Sequence, residues 1–129
     1  MSQKTTNKKT KDVYGIKNVN FSLIEKNDER WNEFKKQREE NGFDESELWS
    51  LDITIAKFVY PRLKLFYENI QNYPGYMTFD EWKNIIKTML DAFELLSNDE
   101  LIGMYSEEQE KIIENGLQNF GKYYRGLWR

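Results

Sequence analysis

The chain contains no cysteine and no histidine in 129 residues. Without thiols there can be no disulfide, no thiolate nucleophile and no zinc-finger spacing. Without imidazole, the commonest general base is missing. A serine nucleophile would then need a lysine base, and no spacing supplies one. The phosphate-cradling and nucleophile-elbow patterns GxxxxGK[ST], GxGxxG and GxSxG are absent as well. Long apolar runs are also lacking. The longest nearly apolar run, Ile53 to Tyr60, includes Thr54 and Lys57 and is far too short to span a bilayer. The first residues carry no apolar stretch of the signal-peptide kind. Neither a membrane span nor a bound cofactor is expected.

Aromatic and charged residues are plentiful. Aromatics make up 16% of the chain and charged residues 32%, against a modest hydrophobic share of 39%. Phe, Tyr and Trp each bury a large area, so a chain of this length can still close one core. The net charge of −3 is uneven. Lys4, Lys8, Lys9 and Lys11 precede the first acid, which leaves −7 on the remainder. An acidic body is a poor nucleic-acid binder, and only the basic tail offers phosphate contacts.

Residues 1–12 read as a solvated tail. Val19-Asn20-Phe21-Ser22-Leu23 alternates apolar and polar, the period of an extended segment. A lone extended segment needs a groove, a short partner strand or a second subunit. Residues 28–40 form a weak helix whose apolar anchors are Trp31 and Phe34, stopped by Asn41-Gly42. Asp44 with Glu47, and Thr78 with Glu81, are capping boxes. Phe43 with Leu48, and Met77 with Trp82, are the apolar staples that go with them. The first box opens a long central helix from Glu45 to about Asn69. The second opens a helix over 79–96, and Ser106 with Gln109 opens the last one. Pro61 should kink the central helix. Asn72-Tyr73-Pro74-Gly75 suits a type II turn. Gly116 falls mid-face in the last helix, where glycine costs about 1 kcal/mol against alanine. A close approach to Trp82 or Phe66 would offset that cost, whereas Gly121 and Gly126 fall at the edge or solvent side. The expected fold is all-α. It is a small bundle of three long helices with a short N-terminal helix and an extended N-terminal arm. Residues 1–27 are the flexible basic tail and arm, and residues 28–129 are the bundle domain.

The central helix carries the candidate site. Its apolar arc covers roughly 240° of circumference at about 100° per residue, wider than an ordinary surface stripe. Asp52 and Arg62 project into that arc, and a charge buried there would need a partner. One reading makes them ties between helices. The other makes them flank a pocket lined by Trp49, Tyr60 and Tyr67, with Arg62 as bidentate donor to a planar or anionic ligand. The acidic pattern also invites a magnesium site of the kind all-α nucleotide pyrophosphohydrolases use. The candidates are Asp91-Ala92-Phe93-Glu94, Glu107-Glu108 and Glu110, but Asp91 projects away from the apolar stripe and there is no second inward-facing carboxylate pair.

Several stretches together resemble a known group. They are Leu48-Trp49-Ser50-Leu51-Asp52, Ala56-Lys57-Phe58, Pro61-Arg62-Leu63-Lys64, Tyr73-Pro74-Gly75, Thr78-Phe79-Asp80-Glu81-Trp82 and Ala92-Phe93-Glu94. Gly116-Leu117, Phe120, Tyr123-Tyr124 and Leu127-Trp128 close the series. This set resembles small helical proteins of tailed bacteriophages and prophages, over roughly residues 42–128 and not the first forty. The resemblance implies a phage origin, with a place in the host cytoplasm or the virion, and transfers no catalytic residues. The leading expectation is a non-enzymatic protein that binds a protein partner or itself through the aromatic flank Trp49, Tyr60 and Tyr67 and the N-terminal arm, in virion assembly or host takeover. A binder of a small nucleotide-like anion comes second, and a magnesium-dependent nucleotide hydrolase third.

Overall fold

All three capping boxes form the reciprocal bonds that their residue types allow. In a computed structural model, which describes residues 21–128, the Asp44 N–H donates to Glu47 Oε2 at 3.0 Å. The Thr78 N–H donates to Glu81 Oε1 at 2.7 Å, and the Glu81 N–H returns a 3.1 Å bond to Thr78 Oγ1. Ser106 and Gln109 repeat the exchange at 2.9 and 3.1 Å. Helix α1 is Trp31–Asn41, α2 is Leu51–Glu68, α3 is Phe79–Leu96 and α4 is Glu107–Tyr123. Short 3-10 turns occupy Glu45–Leu48 and Tyr124–Gly126. Among the described residues there is no strand, so the fold is all-helical, with three long helices after a short first one. No helix among them is long and apolar enough to cross a membrane. Residues 1–20, with the tail lysines and the start of the expected arm, lie outside the described residues.

Two local expectations are corrected. The Asp44 box opens one 3-10 turn, not the long helix, and α2 begins only at Leu51. The side chain of Thr54 explains the break. Its hydroxyl donates to the Glu47 carbonyl at 2.7 Å, while the Trp49 N–H turns back to the Ser46 carbonyl at 3.2 Å. Pro61 lies within α2, and the helix runs on through it to Glu68. The turn before α3 closes from the Met77 N–H to the Pro74 carbonyl at 3.2 Å. Gly75 is not in the left-handed region, so the turn is not the expected type II.

The chain divides into two compact units after Phe58, inside α2. In the first unit, Ser22 and Ile24 are buried beside Phe34, Asp44, Ser46, Glu47 and Ala56. Phe34 anchors α1 as expected, and Gly42 at φ 86° ends it, its N–H donating to the Arg38 carbonyl at 2.8 Å. In the second unit α3 supplies the core with Trp82, Ile86, Met89, Leu90, Ala92 and Phe93, the face its periodicity predicts.

Helices α3 and α4 pack against each other in opposite directions. Trp82 meets Tyr123, Thr88 meets Asn119, and Ala92 meets Gly116, so one number rises as the other falls. Phe93 and Phe120 lie edge to face at 4.9 Å. Gly116 provides the close approach, against Ala92 and Thr88 rather than Trp82 or Phe66. Trp82 faces Gly126 instead, which is therefore half-buried and not on the solvent side. Ile113 and Gly116 are buried, whereas Leu117, Tyr124 and Trp128 are exposed.

Candidate binding surface

The premise of buried charges on α2 does not hold, because Asp52 and Arg62 are both exposed. Neither pays the desolvation cost that made them suspicious. The three aromatics of the expected pocket each have their own neighbours. Trp49 lies edge to face with Phe34 at 6.2 Å. The Tyr60 hydroxyl donates to Glu94 Oε2 at 3.4 Å. Burial, then the Glu94 charge, pushes the Tyr60 hydroxyl above its ordinary pKa. The Tyr67 ring carries Lys83 Nζ at 5.4 Å from its centre. Asp91, one of the magnesium candidates, accepts from Lys87 Nζ at 2.6 Å one turn back. Among the described residues no three acidic side chains stand together as a metal site.

In the first unit an apolar edge lies in the open. Leu48 ends the 3-10 turn, and Leu51 and Ile55, four apart, lie on one face of α2, the spacing of a helix that packs on another helix. They are 53%, 48% and 47% exposed, and Trp49 beside them is 52% exposed. The sequence pattern marks these side chains as apolar but places them in a core. The buried side of α2 is instead the one carrying Ala56 and Leu63.

A buried polar cluster fixes the turn that begins this edge. The Asp44 carboxylate accepts from Ser22 Oγ and Arg38 Nη1 at 2.5 Å and from the Ser46 N–H at 2.9 Å. Ser46 Oγ in turn accepts from the Leu23 N–H at 2.8 Å. The Arg38 guanidinium also lies over the Trp31 ring at 5.3 Å. Burial pushes the Asp44 carboxyl up, but the bonds from Ser22, Ser46 and Arg38 outweigh it and hold the group below its ordinary range. Burial raises Glu47, with the neighbouring Asp44 charge adding to it. Composition shows none of this, since Ser22 lies 22 residues from Asp44 and Arg38 sits across the Gly42 turn from it.

Arg30 holds the outer side of the same unit. Its guanidinium lies 5.5 Å from the centre of Phe34 and 5.3 Å from Trp49. It also grips Asp28 through Nε and Nη2 at 3.0 and 2.9 Å. These bonds lower the Asp28 pKa from 3.8 to about 2. Asp28 should therefore titrate near pH 2 when its carboxyl carbon is followed by NMR. In Arg30→Ala the midpoint should return toward 3.8. An unchanged midpoint would mean that the fork is not populated in solution.

Comparison with protein families, curated proteins and solved structures finds no match. The reading of the surface therefore rests on its own chemistry.

Proposed function

We propose that this protein works by binding a protein, and that the edge formed by Leu48, Trp49, Leu51 and Ile55 is its contact face. The supporting observation is the exposure of four large apolar side chains, Leu48 and Trp49 at the end of a turn held by a buried ion pair and Leu51 and Ile55 one helical turn apart at the start of α2. Exposed apolar side chains grouped in this way mark interaction surfaces. An amphipathic helix is the partner shape that such a seam accepts. A second copy of the chain is the simplest such partner, because it carries the same seam and can pair about a two-fold axis. A bacteriophage setting, in virion assembly or host takeover, is part of the same proposal and rests on the resemblance alone.

Light scattering after size-exclusion chromatography tests the self-pairing. The wild type should run with the mass of a dimer at micromolar concentration. Ile55→Lys should run as a monomer with its helical circular dichroism and melting temperature nearly unchanged, because Ile55 is about half exposed. A wild-type mass equal to one chain would sink the self-pairing and leave only a different protein as partner.

A further inference from the structure

The second unit carries a concave site where α4 ends. A pocket of about 290 Å³ is lined by Tyr73, Trp82, Lys122, Tyr123, Arg125 and Trp128, among others. Its volume is at the low end for small-molecule sites and suits one or two fused rings. The walls are aromatic. Trp82 and Tyr123 stand edge to face at 6.0 Å, and Trp128 is 65% exposed. Flat walls of this kind favour a flat guest, by stacking or edge contact.

The charge of the lining is the second clue. The chain holds 22 acidic residues against 19 basic ones, yet the described lining contains two cations and no carboxylate. Lys122 Nζ stands over the Tyr123 ring at 5.3 Å, so its charge already sits beside the aromatic wall. A cationic guest would be repelled here and an anionic one attracted.

The third clue is an orphaned donor. Trp82 is completely buried, and its Nε1–H has no acceptor among the described residues. A buried donor left unpaired is costly, and such groups are rare in folded proteins. Gly126 packs on the same edge of the indole. A Cβ there would stand 3.0 Å from Cη2 and 3.4 Å from Cζ2, and Cζ2 is two bonds from Nε1. The absence of a side chain at Gly126 thus keeps the pocket wall close to the edge that bears the free N–H.

We propose that this pocket binds a planar aromatic anion, its rings against Tyr123 and Trp128 beside the covered edge of Trp82 and its charge met by Lys122 and Arg125. The site is separate from the contact face of the first unit and does not depend on it.

Indole-3-acetate and 4-hydroxybenzoate are the probes, with indole-3-acetamide as the uncharged match to the first. Titration of the full chain, followed by calorimetry and by amide and indole NMR, should show saturable binding of at least one acid. Shifts should concentrate in residues 122–128 and in the Trp82 indole N–H. The acetamide should bind at least tenfold more weakly than indole-3-acetate. Lys122 and Arg125 are exposed, so a Lys122→Ala/Arg125→Ala variant should keep its melting temperature. That variant should lose the preference for the acid at least tenfold while binding the acetamide as before. The proposal is overturned if neither acid gives a saturable shift at millimolar concentration. It is equally overturned if acid and amide bind alike, or if the double variant keeps the wild-type preference.

Discussion

Asp44→Ala should lower the stability of the first unit by about 3–5 kcal/mol, the usual cost of removing one partner of a buried ion pair. Asp44 is completely buried, and the Arg38 side chain facing it is 7% exposed. Alanine would leave the Arg38 charge buried without the carboxylate that faces it. It would also remove the acceptor for the Ser22 and Ser46 hydroxyls. The damage should exceed the roughly 1 kcal/mol typical of losing a helix cap. Urea denaturation followed by far-ultraviolet circular dichroism measures it. The paired replacement Arg38→Met/Asp44→Leu should recover part of the loss, because no lone charge remains. A single-variant loss of under 1 kcal/mol would mean that water reaches the pair.

The same cluster sets opposing slopes of stability against pH. Asp44 is held below its ordinary pKa, so its contribution is fully present above about pH 3.8 and is lost as pH falls through the lower folded value. Glu47 is raised above 4.5, so its ionisation opposes folding. Acidification through the folded Glu47 value removes that opposition and adds stability down to about pH 4.5. Stability attributable to the pair of carboxylates should thus rise gently toward pH 4.5 and fall below pH 3.8. In Glu47→Gln the rise should vanish and the fall remain.

The sequence made the helices legible because their signals are local. Thr78 and Glu81, or Ser106 and Gln109, are three residues apart, and their bonds follow from that spacing alone. Gly42 needs only its own freedom at positive φ. The central helix was harder to read, because Thr54 captures the Glu47 carbonyl and the first turn separates from the rest. Periodicity identified Leu48, Leu51 and Ile55 as one apolar face. It could not tell a face covered by this chain from one left open, since both need the same residues. Asp52 and Arg62 are anomalous only on a face that forms a core, and this one is open. The Trp82 pocket left no signal in spacing. Trp128 is far in the chain from Tyr73 and Trp82, and the packing of α4 on α3 brings it to them.

Gly116→Ala should destabilise the second unit, although helix propensity alone says the opposite. Alanine gains about 1 kcal/mol over glycine in an open helix interior. At this position a Cβ would overlap the Ala92 Cβ and the Thr88 carbonyl oxygen, and would lie 3.2 Å from the Thr88 carbonyl carbon. The Ala92 contact is side chain and the Thr88 contacts are backbone. Thr88 has little freedom to give way. Its hydroxyl donates to the Ile85 carbonyl at 2.7 Å and accepts from Asn119 Nδ2 at 2.8 Å, which ties α3 to α4 beside the crossing. The helices must then move apart, and Phe93 loses some of its 4.9 Å contact with Phe120. Overpacking of this kind costs about 1–3 kcal/mol, and Gly116→Val should reach the top of that range or exceed it. Adding Ala92→Gly to Gly116→Ala removes the side-chain clash and leaves the carbonyl one, so it should restore less than half of the loss. Thermal and urea unfolding of the three variants separates the terms. A Gly116→Ala protein more stable than wild type would mean that α4 already stands off from α3 in solution. The crossing that brings Tyr123 to Trp82 would then be looser than the structure describes.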